Sequence, residues 1–189
     1  NREMGGQFSI HMWTSITVGF IISFPFVLWQ IWKFISPALY ENEKKYAAAF
    51  IIISSLLFFI GVLFGYYLIA PLSVQFFASY IVSPEINNSI DITSYISLMK
   101  TSTVASGLLF ELPIIIYFLT KIGLVTPQFL RKYRKYTLVI VLILSAIITP
   151  PDVLSQIIVS IPIMLLYEIS IFISAAVVKK QSTTTDLTT

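Results

Sequence analysis

The sequence predicts an all-α polytopic membrane protein with five transmembrane helices in this chain, and three observations carry that prediction. Of its 189 residues, 57% are hydrophobic and only 11% are charged, against about a quarter charged in an average soluble domain. The mean hydropathy is +0.87. Uncharged stretches such as Ala47 to Pro84 and Thr137 to Pro151 are too long for a water-facing surface, so bilayer hydrocarbon must be the solvent.

The first apolar run goes from about Ile10 to Ile35, broken only by Lys33, with Trp13 near one end and Trp29 and Trp32 near the other as interfacial anchors. After Ser36 and Pro37 comes the polar cluster Glu41, Asn42, Glu43, Lys44, Lys45. The next run continues to Pro84. As one helix from Tyr46 to Val82 it would be roughly 55 Å long, nearly twice a hydrocarbon core of about 30 Å. Pro71 is therefore expected to divide it into a span from about Tyr46 to Ala70 and a kinked or interfacial helix from Pro71 to Ile81. Ser83 to Asp91 reads as an exposed loop. A third span from about Ser94 to Ile122 follows, with Asp91, Thr93 or Ser94 available as its N-cap.

The loop Gly123 to Tyr136 carries Arg131, Lys132, Arg134 and Lys135 behind Thr126 and Pro127, the latter suited to a first helical turn. The fourth run, Thr137 to Ile148, makes only about 18 Å of helix, or about 24 Å from Tyr133. Thr149, Pro150, Pro151 and Asp152 form the tightest turn signal, and a last span runs from about Val153 to Val178. Residues 1–178 thus read as one membrane domain and 179–189 as a polar, disordered cytoplasmic tail.

Orientation follows from the cations. Lys33, Lys44, Lys45, Lys121, Arg131, Lys132, Arg134, Lys135, Lys179 and Lys180 fall on one side of the five spans, against Arg2 on the other, which makes the C-terminus cytoplasmic. Asn1 then lies outside, and a missing upstream span, giving six with both ends inside, is the expected repair. The net charge of +3 is thereby explained by topology, without nucleic acid. Absence of cysteine from the sequence excludes disulfides, thiolate metal sites and a cysteine nucleophile. No Walker loop, dinucleotide glycine pattern or zincin motif is present, and His11 is an isolated interfacial histidine, so the reading is of a non-enzyme without cofactor or metal.

Several polar groups lie where a bilayer makes them expensive. Glu111, between Phe110 and Leu112-Pro113, sits within the third span, where an ionisable group costs about 2.5–3.5 kcal/mol on the translocon scale. Pro113 weakens the helix there and favours water or a partner helix. Lys100, eleven residues earlier, is roughly 16 Å away by rise and cannot pair with it directly; it reads as snorkelling outward. Glu168 suits a hydrogen bond near the inner interface, and Asp152 suits the cap of the last helix. The basic run from Arg131 to Lys135 reads as a topology determinant facing anionic lipid.

The strings Phe24-Pro25, Trp32-Lys33-Phe34-Ile35-Ser36-Pro37-Ala38-Leu39-Tyr40 with Glu43-Lys44-Lys45, Asp91-Ile92-Thr93-Ser94-Tyr95, Phe110-Glu111-Leu112-Pro113, and Thr149-Pro150-Pro151-Asp152 with Gln156 occur here in order. Together they resemble the TatC family, the multispanning receptor subunit of the twin-arginine protein translocase, over about Gly5 to Val178. The resemblance implies six spans in a concave, glove-like arrangement, with the first span absent here. It implies recognition of twin-arginine signal peptides through Glu43, flanked by Lys44 and Lys45. A second glutamate of that site in relatives has no counterpart here, and Glu41 does not match it. Glu111 and Gln156 are implied as intramembrane polar positions for partner docking, and Pro150, Pro151 and Asp152 as the outer turn; Glu168 is added to the docking positions as an expectation of the mechanism and not of the resemblance.

Implied partners are the single-span subunits TatA and, where present, TatB, further copies of the chain, and membrane lipid. The implied setting is a bacterial-type cytoplasmic membrane, with export of folded proteins driven by the proton-motive force. A different class, a proton-coupled small-solute transporter with Glu111 as carrier group, is the alternative, and would show broken helices around a closed midplane pocket.

Overall fold

The computed structural model describes residues 5–36, 47–80 and 91–186, and the regular structure among them is helical throughout. They fall into two compact units, Asn1–Leu108 and Leu109–Thr189. Among the described residues, four helical stretches are long and apolar enough to cross a bilayer: Gly6–Phe34, Ala48–Ser79, Ile92–Lys121 and Val153–Lys180. The fourth apolar run forms a helix of 15 residues, about 22 Å long and short of a core of about 30 Å. Four full-length crossings and one short helix therefore stand where the sequence predicts five spans.

In the first unit, α1 (Gly6–Ile35) packs on α2 (Ala47–Phe64). Lipid is as apolar as the side chains, so close packing rather than escape from water must hold the pair. Aromatics at four-residue intervals supply it. Phe24 and Leu28 meet Phe58, flanked by Ile21 and Val62. The Phe24 and Phe58 rings stack with centroids 3.5 Å apart, and Trp32 lies 4.9 Å from Phe50.

The second run differs from its expected division. A π turn, Gly65–Ile69, joins α2 directly to α3 (Ala70–Ser79), so Pro71 starts no separate helix. In an α-helix the proline ring would collide with the carbonyl of Tyr67 and offer it no N–H. Widening the preceding turn, with the Ala70 N–H reaching back to the Gly65 carbonyl, removes the conflict and keeps the helix continuous.

α4 (Ile92–Leu109) begins at Asp91, whose carboxylate accepts the Thr93 N–H at 3.1 Å, one of the three N-caps the sequence offers. Its inner face carries Ser102, Thr103, Ser106 and Gly107, all buried. At Gly65 an added Cβ would lie 2.6 Å from the Ser102 carbonyl oxygen and 2.7 Å from the Thr103 Cα. Two helix backbones meet there, as small residues permit in membranes. At Gly107 a Cβ would meet the Phe58 ring at 2.8 Å, so this glycine seats the aromatic stack.

The second unit holds α5 (Leu112–Lys121), α6 (Pro127–Lys132), α7 (Arg134–Ile148) and α8 (Val153–Asp186). α5 and α7 both pack along α8. Ile116, Leu130, Tyr167 and Ile171 form the core, with Val125 and Met164 against it. The Thr120 hydroxyl donates to the Ile116 carbonyl one turn back at 2.8 Å and accepts from the Ser174 hydroxyl at 2.9 Å. α5 ends at Gly123, φ +78°, with Leu124 N–H bonded to the Leu119 carbonyl at 2.9 Å, a closure that a left-handed glycine makes possible. Thr126 caps α6 by accepting the Phe129 N–H at 3.2 Å. The outer face of α8 shows lipid a stripe of Leu154, Ile157, Ile161, Leu165 and Phe172. α8 runs on to Asp186, where the sequence predicts a disordered tail from Lys179. No proline or glycine follows Pro162, and extending an existing helix needs no new nucleus.

Candidate functional site

Glu111 lies in the break between α4 and α5. Pro113 has no N–H for the Leu109 carbonyl, so the α ladder cannot pass through, and turn geometry replaces it at Phe110 and Glu111. The Glu111 carbonyl accepts the N–H groups of Ile114 and Ile115, each at 3.0 Å, and so starts α5. By rise the residue is about 15 Å from Lys121, well inside the bilayer. The sequence leaves two settings for its carboxylate, a wet cavity or partner and a protonated group hydrogen-bonded to a neighbouring span; in this single chain the residue is only 6% exposed, with both oxygens shielded.

The turn between α7 and α8 is built from its own residues. The Asp152 N–H bonds back to the Pro150 carbonyl at 2.7 Å, which closes the corner. The Asp152 carboxylate then accepts the Ser155 N–H at 2.9 Å and the Ser155 hydroxyl at 2.8 Å, capping α8. Gln156 Nε2 donates to the Leu142 carbonyl at 2.8 Å, fastening α8 to α7. Ser155's N–H, and next its hydroxyl, hold the Asp152 carboxyl below its ordinary value of 3.8.

A group whose folded pKa is lowered stabilises the fold above its unfolded pKa, and that contribution disappears as pH falls through the folded value. Acidification below about pH 4 is therefore expected to lower the thermal midpoint of the detergent-solubilised chain more steeply than that of Asp152→Asn. Parallel acid limbs for the two proteins would refute the cap's role.

At the other end of the second unit, Arg134 Nη2 meets Glu168 Oε2 at 2.6 Å, both side chains part-exposed. The adjacent Tyr167 donates its hydroxyl to the Leu130 carbonyl at 2.9 Å. Two consecutive residues of α8 thus hold the corner between α6 and α7. In the first unit, Lys100 Nζ lies 5.9 Å from the Trp13 ring centroid, a cation–π contact that gives the lysine a partner the sequence reading did not supply. The His11 carbonyl accepts from Ser15 Oγ at 2.9 Å; among the described residues this is backbone capping, not a nucleophile–base pair. Glu43, Lys44 and Lys45 lie outside the described residues.

The structure thus distributes the predicted positions: Asp152 and Gln156 share the corner between α7 and α8, Glu168 the corner at the other end of that pair, and Glu111 the helix break. Sequence reasoning missed Gly65 and Gly107. The spacing of Gly61 and Gly65, and of Ser102 and Ser106, is the small-residue signal that would have revealed such packing. Arg134 was legible as a charge but not as the partner of Glu168, since 34 residues separate them.

Long apolar helices, internally satisfied corners and an acidic residue at a helix break define a polytopic helical membrane protein. Residues 1–162 match the family model described as Sec-independent protein translocase protein (TatC). The chain is 46% identical to the TatC of Blattabacterium sp. subsp. Periplaneta americana (strain BPLAN) over 181 residues, covering 96% of this chain and 68% of that one. It is 41% identical to TatCy of Bacillus subtilis (strain 168) over 171 residues, covering 90% and 67%. A crystal structure of a twin arginine translocase receptor, TatC, in DDM superposes with TM-score 0.76 at 39% identity, covering 92% of this chain and 76% of that chain. The chain belongs to the TatC family of Sec-independent protein translocase proteins. It is a membrane-embedded translocase subunit, a protein-transport component rather than an enzyme, and as such part of a complex with other Tat components.

Proposed function

We propose that this chain is the signal-peptide receptor of a twin-arginine translocase in a bacterial-type cytoplasmic membrane. Its carrying observation is the match in sequence and fold to the twin arginine translocase receptor at TM-score 0.76. Residues 1–178 act as the membrane domain and 179–189 as its cytoplasmic tail, with α7 as a fifth, short crossing. The cations favour that orientation.

In this reading the Glu43 carboxylate pairs with the guanidinium groups of the signal peptide, for which planar bidentate geometry is matched. Lys44 and Lys45 keep the segment at the cytoplasmic surface. The apolar part of the signal then lies against membrane helices. Partner helices of TatA and TatB, or further copies of the chain, dock by polar groups at Glu111, Gln156 and Glu168 and at the turn Pro150, Pro151, Asp152. Docking at Glu111 requires the helix break to admit the partner's polar group, which the lost hydrogen bonds at Pro113 make easier. A helix as short as α7 thins or tilts in the bilayer at a fraction of a kcal/mol per Å, lowering the barrier to cargo insertion. The proton-motive force drives transport. The solute-transporter alternative has no counterpart in a family of protein translocases.

Precursor capture tests the reading. With a photocrosslinker at Asn42, in membranes that also hold the single-span subunits, a twin-arginine precursor is expected to be captured and its twin-lysine version to be captured about tenfold less, because lysine lacks the bidentate fork. Equal capture of both would overturn it. In the same membranes Glu111→Ala is expected to keep precursor capture within about twofold while reducing co-purification of the single-span subunits. Export at the wild-type rate would remove Glu111 from the mechanism.

A further inference from the structure

The corner between α6 and α7 carries more than orientation requires. Arg131, Lys132, Arg134 and Lys135 stand exposed within five positions, and no acidic residue occurs in the sequence between Glu111 and Asp152. Glu168 reaches the corner from α8 and is taken by Arg134. Arg131, Lys132 and Lys135 remain as a local excess of positive charge. The corner is also rigid: the Tyr167 hydroxyl holds the Leu130 carbonyl, Thr126 caps α6, and Leu130 is buried in the core of the unit. Lys132 Nζ lies 5.9 Å from the Tyr133 ring and Lys135 Nζ 5.8 Å from the Tyr136 ring. Phe129, against the Tyr133 ring that Lys132 overlies, and Tyr136 are exposed at this corner, as are Ile122 and Leu124 in the loop that leads to α6, the composition of a surface lying at the level of lipid headgroups.

We propose that Arg131, Lys132 and Lys135 form a binding site for the phosphate of anionic phospholipids on the inner leaflet. Like charges fixed on a rigid corner repel unless a counter-anion joins them, and the apolar rim selects an anion that brings acyl chains. Guanidinium and ammonium donors suit phosphate oxygens, and each basic residue near an anionic surface adds measurably to attraction. The proposed site draws only on residues of the second unit.

The experiment measures lipids retained by the purified chain in native mass spectrometry, and its thermal midpoint in detergent with phosphatidylglycerol, phosphatidylcholine or inorganic phosphate added. Wild type is expected to retain phosphatidylglycerol over phosphatidylcholine by about tenfold, with the preference shrinking as salt rises from about 0.1 to 1 M. The triple variant Arg131→Gln, Lys132→Gln, Lys135→Gln is expected to retain the two lipids about equally, while Lys179→Gln with Lys180→Gln keeps the preference. Should the triple variant not fold, Arg131→Gln alone is expected to reduce the preference and Arg131→Lys to preserve most of it. A preference that survives the neutral substitutions, that ignores salt, or that is matched in stabilisation by inorganic phosphate alone overturns the proposal.

Discussion

Gly65→Val is expected to cost about 3 kcal/mol or more of stability, because overpacking a close contact costs about 1–3 kcal/mol even where side chains can yield. Here the atoms in the way are backbone. A Cβ at position 65 falls 2.6 Å from the Ser102 carbonyl oxygen and 2.7 Å from the Thr103 Cα, and neither can move without shifting α4 away from the π turn. β-branching adds two methyl groups where not even one fits. Gly65→Ala should fall between, and Gly107→Ala should be milder still, since its obstacles are the Phe58 ring and a Val62 methyl, side chains that can turn. Gly19→Ala is the control: nothing lies within 4 Å of its Cβ, and replacing glycine in a helix stabilises by about 0.8–1 kcal/mol. Thermal unfolding of the four variants in one detergent orders them. A Gly65→Val midpoint equal to that of Gly19→Ala would mean that the two helices do not meet as described.

That contact also shows where sequence reading stops. Apolar length and tryptophan at span ends declared a helical membrane protein directly, because the bilayer imposes those patterns on any chain that crosses it. Local helix starts were equally legible: Asp152 before Val153, Asp91 among the three caps offered for the helix from Ile92, and Pro127 in a first turn all stand there in the structure. What was not legible is pairwise. Pro71 announced a disturbance but not its form, since both a divided helix and a π turn relieve the same clash. Glu168 announced a need for a partner, and Arg134 met it only once α7 and α8 packed together. Glu111 was recognisable as costly, but its burial depends on neighbours that periodicity does not name. The polar tail beyond Lys179 looked unfit for a packed structure, yet the helix continues into it, because a helix growing out of a membrane span needs no packing surface of its own.

Glu43→Lys is expected to reduce capture of a twin-arginine precursor at Asn42 by at least about tenfold, the effect of losing a charge-assisted hydrogen-bonded pair worth about 1.5–3 kcal/mol. Reversal does more than deletion, since a lysine there would repel the arginines as well as fail to accept from them. Glu43→Gln separates the two contributions: it keeps an acceptor oxygen but loses the charge, and its capture should lie between the others. Glu41→Gln should leave capture unchanged, because that acid, two residues away, does not match the recognised position. Raising salt should weaken wild-type capture and leave the residual capture by Glu43→Lys nearly flat, as screening acts on an exposed ion pair and not on apolar burial of the signal segment. Glu43→Lys capture undiminished at low salt, with Glu41→Gln defective, would transfer recognition to the neighbouring carboxylate while leaving the family assignment untouched.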